Sequence, residues 1–203
     1  RQMCIRDSFT VLPVRVPRGR CIRRRSRTGT IRCSAAHSRT GARAAMRYSP
    51  FRHLPSVISH SRPVHLTYFV TRRCNSRCPF CFSLRSSSVR EHAGSELTLE
   101  EIDRTARSLR NLLWLAFSGG EIHLRQDLPE IARTFYRHNR PAIMLFPTNG
   151  MLPELIYQHI QDILKSCPRS TIVVKLSIDG VGPAHDALRE TPGSFERTMQ
   201  TYD

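Results

Sequence analysis

Cys74, Cys78 and Cys81 stand in the run Thr71-Arg72-Arg73-Cys74-Asn75-Ser76-Arg77-Cys78-Pro79-Phe80-Cys81, directly after an apolar, strand-like stretch. Three thiolates at a Cys-x3-Cys-x2-Cys spacing on one short loop can hold three irons of a [4Fe–4S] cube and leave the fourth without a protein ligand. An iron left open is a place for a substrate or cofactor to bind. Zinc is the competing metal, because Cys78-Pro79-Phe80-Cys81 is also a Cys-x2-Cys half-site. Structural zinc asks for four ligands, usually two such pairs. Cys167 stands alone here, and Cys4, Cys21 and Cys33 lie in an Arg-rich leader. A disulfide framework fits less well, since the seven cysteines are an odd number and no signal-peptide pattern is present.

A second group of residues follows in Ser118-Gly119-Gly120-Glu121. Paired glycines permit a close backbone approach that a side chain would block, and only glycine takes positive φ freely. Thr148-Asn149-Gly150 and Ser177-Ile178-Asp179-Gly180 carry short polar side chains that can bond a ribose or carboxylate; Asn-Gly and Asp-Gly are also ordinary turns. Arg189, in His185-Asp186-Ala187-Leu188-Arg189, offers a fork for a carboxylate or a surface pairing with Glu190 or Glu196. Arg72, Arg73 and Arg77 flank the cysteines and read first as solvated side chains. His123 could be a catalytic base but reads as a loop histidine. No phosphate-binding P-loop, Ser-His-Asp order or His-Glu-x-x-His run occurs.

These motifs need elements to place them. From Val64 onward short apolar runs alternate with longer amphipathic ones, the pattern of βα units. Strands are expected near Val64–Thr71, Leu113–Phe117, Ala142–Phe146 and Thr171–Ile178, the last read as covered on both faces. Thr98-Leu99-Glu100-Glu101 is a capping box for a helix with Ile102, Ala106, Leu109 and Leu113 inward. A second helix starts at Asp127, buries Leu128, Ile131 and Phe135, and stops at His138-Asn139-Arg140-Pro141. A third, Pro153 to Ser166, buries Leu155, Ile156, Ile160 and Ile163. Each polar or glycine motif then falls at the carboxyl end of a strand, the active-site edge of a barrel or an open parallel sheet.

Composition bounds the rest. The 203-residue chain has a formal charge of +16, but residues 1–62 hold fifteen arginines against the single acid Asp7, so residues 63–203 carry only +2. The basic-patch argument for nucleic acid therefore fails for the motif-bearing part. The leader, 1–62, reads as unstructured: a basic tail for anions, a transit peptide, or translated sequence ahead of a start at Met46, the reading preferred here. No apolar run approaches the ~20 residues of a membrane helix, and a cytoplasmic location is expected.

Together the cysteine loop, the aromatic Phe80 before its third cysteine and the later Gly-Gly-Glu resemble the radical S-adenosylmethionine (radical SAM) family. The resemblance implies an α/β fold, a partial (β/α)6 barrel that here stops after about four βα units, with the chain reading as a fragment. It implies a [4Fe–4S] cluster on Cys74, Cys78 and Cys81, and S-adenosylmethionine held by Gly119, Gly120, Glu121, Thr148, Asn149, Ser177, Asp179 and Arg189. The activity implied is reductive cleavage of that cofactor to a 5′-deoxyadenosyl radical, fed by a low-potential electron donor such as flavodoxin or ferredoxin. Ile122 stands where many relatives have proline. His185 to Arg189 followed by Pro192-Gly193-Ser194-Phe195 resembles peptide-modifying members and sulfatase maturases, which often carry auxiliary clusters. A molybdenum-cofactor cyclase-like enzyme of small molecules is the alternative within the family, and a zinc-binding, noncatalytic interaction domain the alternative outside it.

Overall fold

The computed structural model describes residues 11–13, 54, 58, 63–82 and 96–203. Its elements are β1 (Val11–Pro13), β2 (His65–Thr71), α1 (Leu99–Ser108), β3 (Trp114–Gly119), a 3-10 turn (Ile122–Leu124), α2 (Leu128–Asn139), β4 (Ile143–Thr148), α3 (Pro153–Ser166), β5 (Thr171–Leu176), α4 (Pro183–Arg189) and α5 (Ser194–Tyr202). The strands lie in the order β1-β5-β4-β3-β2, with β2 to β5 parallel and β1 antiparallel on β5. Because β2, β3, β4 and β5 are neighbours in chain order with no reversal, the sheet is a barrel sector and not a doubly wound sheet.

Register explains the core. Leu66 pairs with Leu115, Leu115 with Met144 and Met144 with Ile172, so one row crosses all four parallel strands. Leu115, Met144 and Ile172 pack with Ile102, Ala106, Ile131, Phe135, Ile156, Ile160 and Ile163 from the helices. One turn of the pleat further on, Phe117 stacks on Phe146 with ring centroids 4.8 Å apart, and Phe135 of α2 closes on both Phe117 and Tyr68. Burying side chains of this size stabilises by about 1.5–3 kcal/mol each. Leu145 and Val173, one residue out of phase, lie on the opposite face and are half-buried.

The helices start and stop as their local chemistry dictates. Thr98 accepts from the Glu101 N–H, and the Glu101 carboxylate accepts from the Thr98 N–H at 2.9 Å, closing the capping box. α2 ends on Arg140 in the left-handed region, φ 44°, one residue before Pro141.

Several expectations need correction. Leu113 is not on the helical face: α1 ends at Ser108, Leu109 turns extended, and Leu112 is the fully buried leucine of the connection. Leu155 is only half-buried, because the inward stripe of α3 runs Ile156, His159, Ile160, Ile163. β5 is covered on one face and not both, with Ile172 and Leu176 buried and Val173, Val174 and Lys175 intermediate. In the leader, Val11–Pro13 forms an edge strand where no element was expected. The free edge of β5 offers backbone partners, and proline is tolerated in an edge strand. The other leader residues lie outside the described ones, apart from 54 and 58. Among the described residues no helix is long and apolar enough to cross a membrane.

Candidate metal and cofactor site

β2 delivers the chain into the cysteine loop, where Cys74, Cys78 and Cys81 are free thiols; Cys74 is exposed and the other two are half-buried. The Cys81 N–H donates to the Cys78 carbonyl at 3.0 Å, closing a tight turn between the last two cysteines. Despite the exposure of Cys74 as a residue, crowding around its sulfur raises its pKa by desolvation, opposed by a bond from the Ser76 backbone and assisted by Glu121. Binding iron would remove that proton.

Beside this loop runs the end of β3, and its glycines are explained there. The Gly120 N–H donates to the Thr71 carbonyl and the Glu121 N–H to the Arg73 carbonyl, both at 2.9 Å. A Cβ on Gly119 would fall 2.2 Å from the Thr71 carbonyl oxygen, and one on Gly120 2.1 Å from that of Arg73. Gly119 also sits at φ 142°. The glycine pair is the surface on which the cysteine loop rests.

Glu121 is buried, 1% exposed. Its carboxylate accepts from Thr148 Oγ1 at 2.9 Å, from the Asn149 N–H at 2.8 Å and from the His123 N–H at 3.2 Å. Desolvation pushes its pKa up, and these three donors together with the nearby Arg189 pull it down. One carboxylate thus joins the ends of β3 and β4. Thr148 and Asn149 are buried as well. Asn149 Nδ2 donates to Asn75 Oδ1 at 2.7 Å, which ties β4 to the cysteine loop, while its carbonyl accepts from Thr198 of α5. Gly150, φ 75°, lets Thr198 approach so closely that a Cβ would lie 2.8 Å from its methyl.

Arg189 is buried and pairs with neither Glu190 nor Glu196. Its Nη2 and Nε hold Asp179 Oδ2 at 2.6 and 2.8 Å, joining α4 to the end of β5. The left-handed turn at Glu190, φ 48°, ends α4 there. Ser177 is half-buried and Asp179 exposed, the most accessible side chains among the expected cofactor contacts. Asp186 accepts from the Gly193 and Phe195 N–H groups and from Ser194 Oγ, so it anchors the start of α5 and its own pKa is lowered, chiefly by the Phe195 N–H.

His123 is no loop histidine: it is fully buried, its Nδ1 3.3 Å from that of His159. Desolvation, then His159, drives its pKa down to about 3. Sequence reasoning also missed Arg125, which donates to the Val70 and Leu97 carbonyls and grips Asp127, and Ser76, buried among the cysteines. For Ser76 its place between two ligands was the available signal; for Arg125 there was none. The groove between α1 and α2, lined by Asp103, Arg107, Glu130 and Arg137, contains none of the expected metal or cofactor residues. Its Asp103 is already paired with Arg107, Arg137 and His138.

The donor set fits an iron–sulfur cube. Three soft thiols share one loop, the donor type and number that a cube with one open iron takes.

Loop, strand order and glycine shelf define a barrel-sector domain with a thiolate site at the carboxyl edge of its sheet. The comparisons agree. Residues 68–203 match the description Radical SAM superfamily, and the chain belongs to that family. It is 31% identical over 142 residues to the antilisterial bacteriocin subtilosin biosynthesis protein AlbA of Bacillus subtilis, covering 68% of this chain and 30% of that one. It is 35% identical over 144 residues to the AdoMet-dependent heme synthase of Methanosarcina barkeri, covering 68% and 37%. It is 25% identical over 143 residues to the GTP 3′,8-cyclase of Yersinia pestis, covering 68% and 41%. The chain spans about a third of the length of these relatives. The cofactors of the family are a [4Fe–4S] cluster and S-adenosylmethionine.

Proposed function

We propose that this chain forms the cluster- and cofactor-binding sector of a radical SAM enzyme that abstracts hydrogen from an unreactive C–H bond. The observation that carries the reading is the seating of a three-cysteine loop on the Gly119-Gly120 backbone, within a sheet whose motif residues all lie at one edge. Cys74, Cys78 and Cys81 would hold the cluster. When bound, the cluster supplies the electron that cleaves S-adenosylmethionine to methionine and a 5′-deoxyadenosyl radical. Gly119 and Gly120 would present the backbone groups left free beside the Gly120 bond to Thr71, Ser177 and Asp179 would present accessible oxygens, and Arg189, buried in its pair with Asp179, would bear on the cofactor through that carboxylate. Glu121, Thr148 and Asn149 bear on it chiefly by holding the ends of β3 and β4 in place, since their polar atoms are already bonded within the protein.

A peptide substrate is favoured by the match to a bacteriocin biosynthesis protein and by the Pro192-Gly193-Ser194-Phe195 segment that Asp186 anchors. The match to a GTP 3′,8-cyclase supports the second reading, a small-molecule substrate. A low-potential donor such as flavodoxin or ferredoxin and a cytoplasmic setting complete the proposal. The test is anaerobic incubation of the reconstituted chain with dithionite and S-adenosylmethionine. Formation of 5′-deoxyadenosine and methionine is expected; an intact cofactor beside a fully reduced cluster would overturn the activity.

A further inference from the structure

Ser76 lies between the first two cysteines, is 4% exposed, and sits in a chain of short polar contacts. Its Oγ is 3.2 Å from Cys78 Sγ and 3.0 Å from Thr191 Oγ1, and Thr191 Oγ1 is 2.8 Å from the Arg189 carbonyl oxygen. Each hydroxyl owns one proton. In the free thiol, every contact can be satisfied in one direction: Cys78 S–H to Ser76, Ser76 O–H to Thr191, Thr191 O–H to Arg189. A thiolate on iron has no proton to give, so its contact with Ser76 can only be an O–H donated to sulfur. The Ser76–Thr191 contact then needs the Thr191 proton, which must leave the Arg189 carbonyl. The chain reverses, and its polarity points at the cluster.

Donation to a cluster sulfur draws off electron density and favours the reduced form, one of the ways a protein sets the potential of such a centre. Hydrogen bonds in series strengthen one another. We propose that Ser76 raises the reduction potential of the cluster by donating to Cys78 Sγ, with Thr191 polarising that donor. Ser76 and Thr191 are positioning residues that act through the ligand, and the proposal rests on the cluster reading above. The electron enters from an external reductant, and no proton is transferred in the step.

The experiment is a redox titration of the anaerobically reconstituted full chain, followed by the electron paramagnetic resonance of the reduced cluster, with iron and sulfide measured in each sample. S76A should hold the cluster at a lower potential than wild type. T191V, which leaves the loop intact and keeps the shape of the side chain, should fall between the two. A wild-type potential in either variant overturns the proposal. If S76A holds no cluster, T191V decides alone: a lowered potential supports the relay and an unchanged one overturns it. A wild-type chain without iron and sulfide removes the functional reading and this proposal together, whereas full loading with unshifted potentials removes only the role of Ser76 and Thr191.

Discussion

Asn149, at the end of β4, donates its side-chain amide to Asn75, the residue after the first cysteine, at 2.7 Å. The same Asn149 donates its backbone N–H to Glu121, and its backbone carbonyl accepts from Thr198 Oγ1. Cysteine loop, glycine shelf, β4 and α5 therefore meet at one buried residue, whose side-chain amide makes the bond to the loop. Removing it with Asn149→Ala also frees the Met151 N–H that its Oδ1 accepts. Losing bonds of this kind should cost about 1–3 kcal/mol, read as a lower urea midpoint, and the variant should release cluster iron to a chelator faster than wild type.

Gly120→Ala tests the shelf. The new methyl has no room beside the Arg73 carbonyl, which is backbone and can yield only if the cysteine loop moves. The expected loss is about 3 kcal/mol, at the upper end for overpacking, together with failure to assemble the cluster although all three cysteines remain. Normal cluster content in this variant would show that the glycines serve the cofactor alone.

Glu121 divides bracing from cofactor contact. Its carboxylate satisfies three donors in the protein itself, so Glu121→Ala should destabilise the chain before any cofactor is added, by about 3 kcal/mol. Glu121→Gln keeps one acceptor and should cost about half as much. Chemical denaturation of the metal-free chain decides. Equal stability of wild type and Glu121→Ala would return the residue to cofactor contact.

The buried histidine pair predicts acid sensitivity. His123 titrates near 3 in the folded chain, against 6.5 when unfolded. A base held neutral by burial contributes stability that is complete above the unfolded value and is lost as pH falls below it, because the unfolded chain takes up the proton first. Between pH 7 and pH 5 this amounts to about 2 kcal/mol. His159, also lowered by desolvation, adds to it. Urea midpoints should drop over that interval, and His123→Leu should flatten the dependence.

The four parallel strands and the capping box were legible in the sequence, because period, length and breakers agree for each βα unit from His65 to Leu176. The three cysteines announced themselves by spacing. What stayed hidden was the partner of each motif. Nothing local says that Glu121 faces Thr148 and Asn149, that Arg189 turns from Glu190 to Asp179, or that His123 meets His159 on α3. Those contacts lie 10 to 36 residues apart in the chain and arise only when β3, β4, β5 and the helices that follow them pack together. The leader strand was illegible for the same reason, since Val11–Pro13 pairs only because β5 has a free edge.

The central claim, that Cys74, Cys78 and Cys81 hold an iron–sulfur cube, meets its most direct test in the metal content of the chain after anaerobic reconstitution. The account predicts a brown protein with about four irons and four acid-labile sulfides, absent from the Cys74→Ala, Cys78→Ala and Cys81→Ala variants. Stoichiometric zinc without charge-transfer absorption would contradict it and leave a zinc-binding interaction domain in its place.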